Sequence, residues 1–116
     1  MRKTASLIAI ASILIFPAQA QAQSSDNDQA IVESYVVEGD DRYLITPTDE
    51  ARSIGSSALS SDYGPALTTA GIPASDNLVG QLVCHIIFAA DKDTWNLEAW
   101  RPHVSLSSYV SSQCNP

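Results

Sequence analysis

Cys84 and Cys114 are the only cysteines of a 116-residue chain, and no other feature constrains its fold as much. An even pair reads as a disulfide in an exported chain and as a redox or metal pair in a cytosolic one. The N-terminus decides between them. Residues 1–22, MRKTASLIAIASILIFPAQAQA, place Arg2 and Lys3 before an apolar run from Leu7 to Phe16, then Pro17 and two small-x-small steps. That is the layout of a secretory signal. The run falls short of the roughly 20 apolar residues of a membrane span. No cysteine follows it, so no membrane anchor is expected after cleavage. The expected order is a signal peptide at 1–22, a polar flexible leader at 23–29 (QSSDNDQ) and a single secreted domain at 30–116.

A mature chain of about 94 residues buries only about 60–65% of its unfolded surface and is marginal without a staple. A Cys84–Cys114 bond closing about 30 residues would constrain the unfolded state by roughly 3–4 kcal/mol on the chain-entropy model. A metal site built from Cys84, His85, His103 and Cys114 is the rival. Adjacent side chains on a strand point to opposite faces, and neither a CxxC nor an HxxxH spacing occurs. No metal and no cofactor is therefore expected.

Without the signal, Arg42, Arg52, Lys92 and Arg101 stand against thirteen acids, a net charge of −9. An acidic exported domain of this kind lacks the basic footprint of a general nucleic-acid-binding surface. A monomer is expected, with an unknown protein or an envelope component as partner.

Along the chain, AIVESYVVEGDDRYLITPT alternates β-branched and aromatic residues around Gly39-Asp40-Asp41 and predicts a hairpin. Thr46 is the expected cap of a short helix with Pro47 in its first position and Asp49 in its third. Ala51, Ile54 and Ala58 would share its face, with Gly55 weakening it. A helical turn is expected near 65–70. GQLVCHIIFAA (80–90) predicts a central strand buried on both faces. The segment 105–113 fits a helix that aligns Leu106, Tyr109, Val110 and Cys114, or a strand that aligns Val104, Leu106, Val110 and Cys114; the helix is favoured. The fold class is α+β: a small antiparallel sheet, with the hairpin and the central strand, one or two short helices and one disulfide.

Chemically dense residues concentrate in DKDTWNLEAWRPH (91–103), which holds both tryptophans. As a catalytic set, His85, Glu98, Arg101 and His103 would supply acid, base and anion stabilisation, the kit of a metal-independent ribonuclease. As a binding set, Lys92, Trp95, Asn96, Trp100 and Arg101 join aromatics to polar groups, as binding hot spots do. As a structural set, the tryptophans are core, Glu98 pairs with Arg101 three residues on, and His85 is a satisfied core histidine. There is no GxSxG, no phosphate loop and no GxGxxG, and Asp91-Lys92-Asp93 lacks the Gly and closing Glu of a calcium loop.

QLVCH (81–85), Lys92, WNLEAWRP (95–102), Val104 and CNP (114–116) together resemble the domain-of-unknown-function 2599 family of small exported actinobacterial proteins. PTDEAR (47–52) matches more loosely. Ala99 departs from the family pattern, which favours proline there, so a less rigid corner is implied. The resemblance implies a secreted bacterial protein and strengthens the Cys84–Cys114 pairing; it implies no activity. Such domains stand alone after a signal peptide and also at the ends of longer exported proteins, an arrangement that suits a toxin. The favoured expectation is a non-enzymatic extracellular binding protein. The alternative is an antibacterial toxin or ribonuclease-like hydrolase using His85, Glu98 and Arg101.

Intact-mass measurement checks the staple. No thiol should alkylate in the native protein and two should after reduction; two reactive thiols before reduction would refute the bond.

Overall fold

The computed structural model describes residues 30–116, so the signal and leader expectations lie outside the described residues. Three antiparallel strands form one sheet in the order β1–β2–β3: β1 is Val32–Glu38, β2 Arg42–Pro47 and β3 Trp95–Glu98. The predicted hairpin is present, with Glu38 opposite Arg42 and Gly39 at φ +67° turning the chain. A glycine takes that left-handed conformation without a Cβ clash. The irregularity between Val32 and Ser34 is the one break in its register.

The third strand is not where the sequence predicted it. Residues 80–90 do not form a strand: Asp76–Phe88 is a helix, α3, and the sheet is completed by Trp95–Glu98 from the tryptophan motif. The physical reason is the spacing of the apolar side chains. Leu78, Leu82 and Ile86 recur every four residues and are all fully buried against the sheet. Gln81, Cys84 and His85 form a second buried stripe beside them. Burial of both stripes imitates a two-sided strand in a short window. Each buried Leu or Ile contributes about 1.5–3 kcal/mol relative to exposure. Across the core, Ile45 of β2 and Trp95 and Leu97 of β3 meet this helix with Ile31, Leu67 and Ile72.

The segments between are short. Helix α1 is Asp49–Arg52, a 3-10 helix covers Gly55–Ser60, and α2 is Gly64–Ala70. Thr46 does not cap α1. Thr46 and Pro47 stay in β2, and Thr48 Oγ1 accepts from Ala51 N at 3.0 Å while donating to Ala30 O at 2.7 Å. The β2–β3 ladder ends at Ile45, so Pro47 lies where one side of β2 has no strand partner and its missing N–H is tolerated. Ala51 and Ala58 are buried as expected, but Gly55 at φ +62° splits the helix between them.

The C-terminal segment is helical, α4 at Leu106–Ser111, capped by Ser105 Oγ accepting from Ser108 N. It stops short of Asn115-Pro116, because Gln113 and Cys114 turn left-handed at φ +57° and +69°. Tyr109 is its buried residue, while Leu106 and Val110 remain exposed. The Cys84–Cys114 disulfide joins α3 to the end of the chain, with Cα atoms 5.5 Å apart.

Gly80 makes this docking possible. A Cβ built there would lie 2.4 Å from Tyr109 Oη and 2.7 Å from its Cζ. Helix propensity alone predicts that Gly80→Ala stabilises a helix by about 1 kcal/mol. Tyr109 is buried and its hydroxyl lies 3.1 Å from His103 Nδ1, so the ring must shift from that seat and the substitution should instead destabilise by about 1–3 kcal/mol in chemical denaturation. A stabilised Gly80→Ala variant would show that α4 does not pack here.

Candidate functional site

The dense motif separates into two regions. The first is a clamp. Glu98 ends β3 opposite Arg42 and its side chain is 5% exposed. Its Oε2 accepts from Arg42 Nε at 3.0 Å and its Oε1 from Arg101 Nε at 2.6 Å. Burial pushes the Glu98 carboxyl up, but the two guanidinium groups outweigh it and hold the group below its ordinary value. Arg101 Nη1 also donates to the carbonyls of Asn115 at 3.0 Å and Pro116 at 2.8 Å. The corner rests on α3. Gln81 pairs both ends of its amide with the Glu98 backbone, at 2.8 and 2.9 Å. Asn77 Nδ2 donates to the carbonyls of Ala99 and Arg101, each at 2.8 Å. Trp95 is buried with its Nε1 donating to Ala89 O at 2.8 Å. Trp100 is 59% exposed and carries the Arg101 guanidinium 4.2 Å from its ring centroid.

The second region is a cleft of about 480 Å³ beside the disulfide, between the end of α3, the start of β3 and the residues after α4. His85, Lys92, Thr94, Asn96, Gln113 and Asn115 supply its polar lining, and Phe88 and Val110 its apolar wall. His85 is 5% exposed. Its Nδ1 lies 2.7 Å from Gln81 O. A carbonyl only accepts, so Nδ1 carries the proton and the other ring nitrogen is an acceptor when the ring is neutral. Burial, with the Lys92 charge adding to it, lowers the His85 pKa from 6.5 despite the bond to Gln81 O. Asn96 Oδ1 and Asn115 Oδ1 are buried with no hydrogen-bond partner among the described residues. Arg52 holds the loop that presents Lys92, donating to the carbonyls of Ala90, Lys92 and Asp93.

The sequence-predicted residues are therefore divided. His85, Lys92 and Asn96 meet in the cleft. Glu98 and Arg101 meet in the clamp and do not line the cleft. His103 lies elsewhere, its Nδ1 3.1 Å from Tyr109 Oη, beside a broad depression of about 710 Å³ that Asp62 and Asp76 also line. There Asp62 Oδ1 already accepts from Gly64 N at 2.9 Å, so the depression offers less for a ligand than the cleft does. The strand-based reason for setting aside a metal site at Cys84 and His85 falls with the strand, but Cys84 is bonded to Cys114. Sequence reasoning missed Arg42, Asn77, Gln81, Arg52 and Asn115. Gln81 in QLVCH, Arg52 in PTDEAR and Asn115 in the CNP ending lay within the quoted motifs, but without a role; Arg42 and Asn77 carried no signal.

Two of the shifted groups, His85 and Glu98, predict how stability follows pH on the acid side. Folded His85 titrates below its unfolded value of 6.5 and folded Glu98 below 4.5, so in each case the unfolded chain binds more protons as pH falls between the two values. The contribution of these two groups is full above pH 6.5, declines as pH falls from there through the folded His85 value, and declines again below 4.5. Denaturation curves of wild type and His85→Asn should show a stability difference that changes between pH 7.5 and 5. A constant difference would mean that the ring is not held neutral.

The chain was compared with known proteins. No solved structure matches it. Uncharacterized proteins of Mycobacterium tuberculosis and Mycobacterium bovis are 31% identical over 70 residues, covering 57% of this chain and 47% of each relative. The chain thus spans about half the length of the curated relatives it matches. The family model described as "Protein of unknown function (DUF2599)" matches residues 32–116, which covers all three strands, the clamp, the cleft and the disulfide, and the chain belongs to that family.

Proposed function

We propose that this is an exported, non-enzymatic binding protein that takes a small polar ligand, an envelope component or part of one, in the cleft beside the disulfide. The observation that carries this reading is the separation of the would-be catalytic groups. A general acid or base must reach the substrate within hydrogen-bond distance. Both oxygens of Glu98 are committed to Arg42 and Arg101, and the carboxylate is buried. His85 lines a different surface, in company with neutral amides and a lysine. What the cleft offers is recognition: a volume typical of ligand sites, with a few polar groups set against an apolar wall. Export is supported by the signal-like N-terminus and by a disulfide, which persists in oxidising compartments. The four mature basic residues against thirteen acids argue against a nucleic-acid substrate.

The alternative is a ribonuclease-like or antibacterial toxin. The two are separated by assaying RNA cleavage and growth inhibition of neighbouring bacteria with the full chain, exported so that the disulfide forms, beside His85→Ala and Glu98→Ala. All three should be inactive, and hits from a screen of polar small molecules should shift the amide resonances of His85, Asn96 and Asn115. Activity that a folded His85→Ala variant loses, or hits confined to another surface, would overturn the binding reading.

A further inference from the structure

The sheet has two edges, and only one is closed. At β3 the Gln81 side chain bonds the Glu98 backbone. At the other edge β1 pairs with β2 alone. The ladder tells which backbone groups of β1 are left over. In an antiparallel pair, residues that exchange hydrogen bonds with the opposite strand alternate with residues whose N–H and C=O turn away from it. Ala99 N donates to Asp41 O at 2.8 Å, so Asp41, Tyr43 and Ile45 face β3. Arg42, Leu44 and Thr46 therefore face β1. Thr48 N, which donates to Ile31 O at 3.0 Å, keeps the same alternation. Their partners Glu38, Val36 and Ser34 spend their bonds on β2. The N–H and C=O of Tyr35 and Val37 point outward, and among the described residues no backbone group outside the β1–β2 ladder bonds to them.

Such a row of free donors and acceptors is a template for a further strand, and sheet edges are ordinarily blunted by lysine, proline, a bulge or a covering segment. β1, VESYVVE, holds neither lysine nor proline. Its irregularity between Val32 and Ser34 guards one end only. Val36 and Val37 are 60% and 49% exposed and point to opposite faces, so an added strand would cover apolar surface on both. Charge then selects the occupant. Glu33 and Glu38 stand at the two ends of the free stretch, and Asp40 and Asp41 follow in the turn. Arg42, the one cation of the hairpin, is already shared by Glu38 and Glu98. A second copy fits poorly. Two β1 strands paired antiparallel, Val36 opposite Val36, would bring Glu33 of one toward Glu38 and Asp40 of the other. Like charges so placed are destabilising, and each domain without its signal carries a net charge of −9. A basic extended segment meets the same acids as partners. In this mode of recognition main-chain bonds give affinity and alternate side chains give specificity.

We propose that the outer edge of β1 takes an extended basic polypeptide segment as a fourth, antiparallel strand, with apolar residues opposite Val36 and Val37 and a lysine or arginine opposite Glu33 and Glu38. No residue of β1 lines the cleft, so this surface is independent of the one proposed above. The test is an amide-resonance titration of the full disulfide-bonded chain with the peptide acetyl-KVVTTK-amide, whose first lysine would lie opposite Glu38. The amides of Tyr35 and Val37 should shift most. N-methylation of the second or fourth peptide residue removes an N–H that faces β1 and sets a methyl against the strand, so binding should weaken at least about tenfold. N-methylation of the third residue, whose N–H faces away, should change binding by no more than about twofold. The acidic peptide acetyl-EVVTTE-amide should bind at least about tenfold more weakly at low salt, with the gap narrowing as salt rises. Val37→Pro removes an outward N–H that β2 does not use, so the variant should fold, as circular dichroism can check, and bind about tenfold or more weakly. Equal loss from all three N-methylations would overturn strand addition, and equal binding of the acidic peptide would overturn the basic partner. Concentration-dependent shifts at Tyr35 and Val37 without peptide would assign the edge to a second copy instead. Peptide shifts confined to other residues, or none, would overturn the proposal and leave the cleft reading standing.

Discussion

The structure depends on the pairing of one buried glutamine with one strand residue. β3 is four residues long and bonded on one side to β2. Its other side would leave the Glu98 N–H and C=O buried without partners. Gln81 supplies both bonds from the middle of α3, at 2.8 and 2.9 Å. A side-chain amide thus stands in for a neighbouring strand, and the edge is closed by a helix, as buried sheet edges must be. Because the bonds are bidentate they fix the position of the helix along the strand as well as its distance. Two neighbours of Gln81 on the same helix follow from that register. Asn77, one turn earlier on α3, reaches the carbonyls just past Glu98, and His85, one turn later, reaches the cleft.

That register explains why charge and aromaticity crowd into so short a segment. Once Gln81 holds the Glu98 backbone, its carboxylate is carried into a place too buried to stand alone. Arg42 and Arg101 approach it from the opposite strand and from the following turn. Only Glu98 is buried in this group, so it is the carboxylate that depends on its two guanidinium partners to remain charged. Arg101 reaches on to the carbonyls of Asn115 and Pro116. The disulfide ties Cys114, the residue just before them, to α3. Clamp and staple therefore hold the same short tail from two directions.

Much of the frame was legible in the sequence because its signals are local. The hairpin followed from alternation and a glycine turn, the disulfide from cysteine count and export, and the pairing of Glu98 with Arg101 from spacing. The error at residues 80–90 came from reading burial without its period. Leu78, Leu82 and Ile86 repeat every four residues, but the buried Gln81, Cys84 and His85 fill the gaps and hide the helix. In the tryptophan motif the one local backbone signal is Pro102, which restricts Arg101 to extended geometry. That restraint acts after Glu98, and leaves Trp95–Glu98 free to pair with β2. Of the candidate site, His85, Lys92 and Asn96 were singled out, but nothing local separated them from Glu98 and Arg101. That division depends on where α3 packs, and so on the bonds from the Gln81 side chain to the Glu98 backbone, which no local pattern in the sequence foretells.

The division also gives the staple a role beyond stability. A cleft whose floor includes Asn115 and whose wall includes Val110 is built partly from the segment that follows α4, which belongs to no helix or strand. That segment is fixed by the disulfide, by the Arg101 bonds and by the seating of Tyr109 on Gly80. Arg52 does the same for the loop on the far side, so Lys92 is also presented from a restrained backbone. Both rims of the cleft are thus ordered before any ligand arrives. Ordering in advance lowers the entropy cost of association, which matters most for a small polar ligand with little apolar area to bury. On this view the clamp of Glu98 with its two arginines and the disulfide hold in place the rims of the cleft proposed as the binding site.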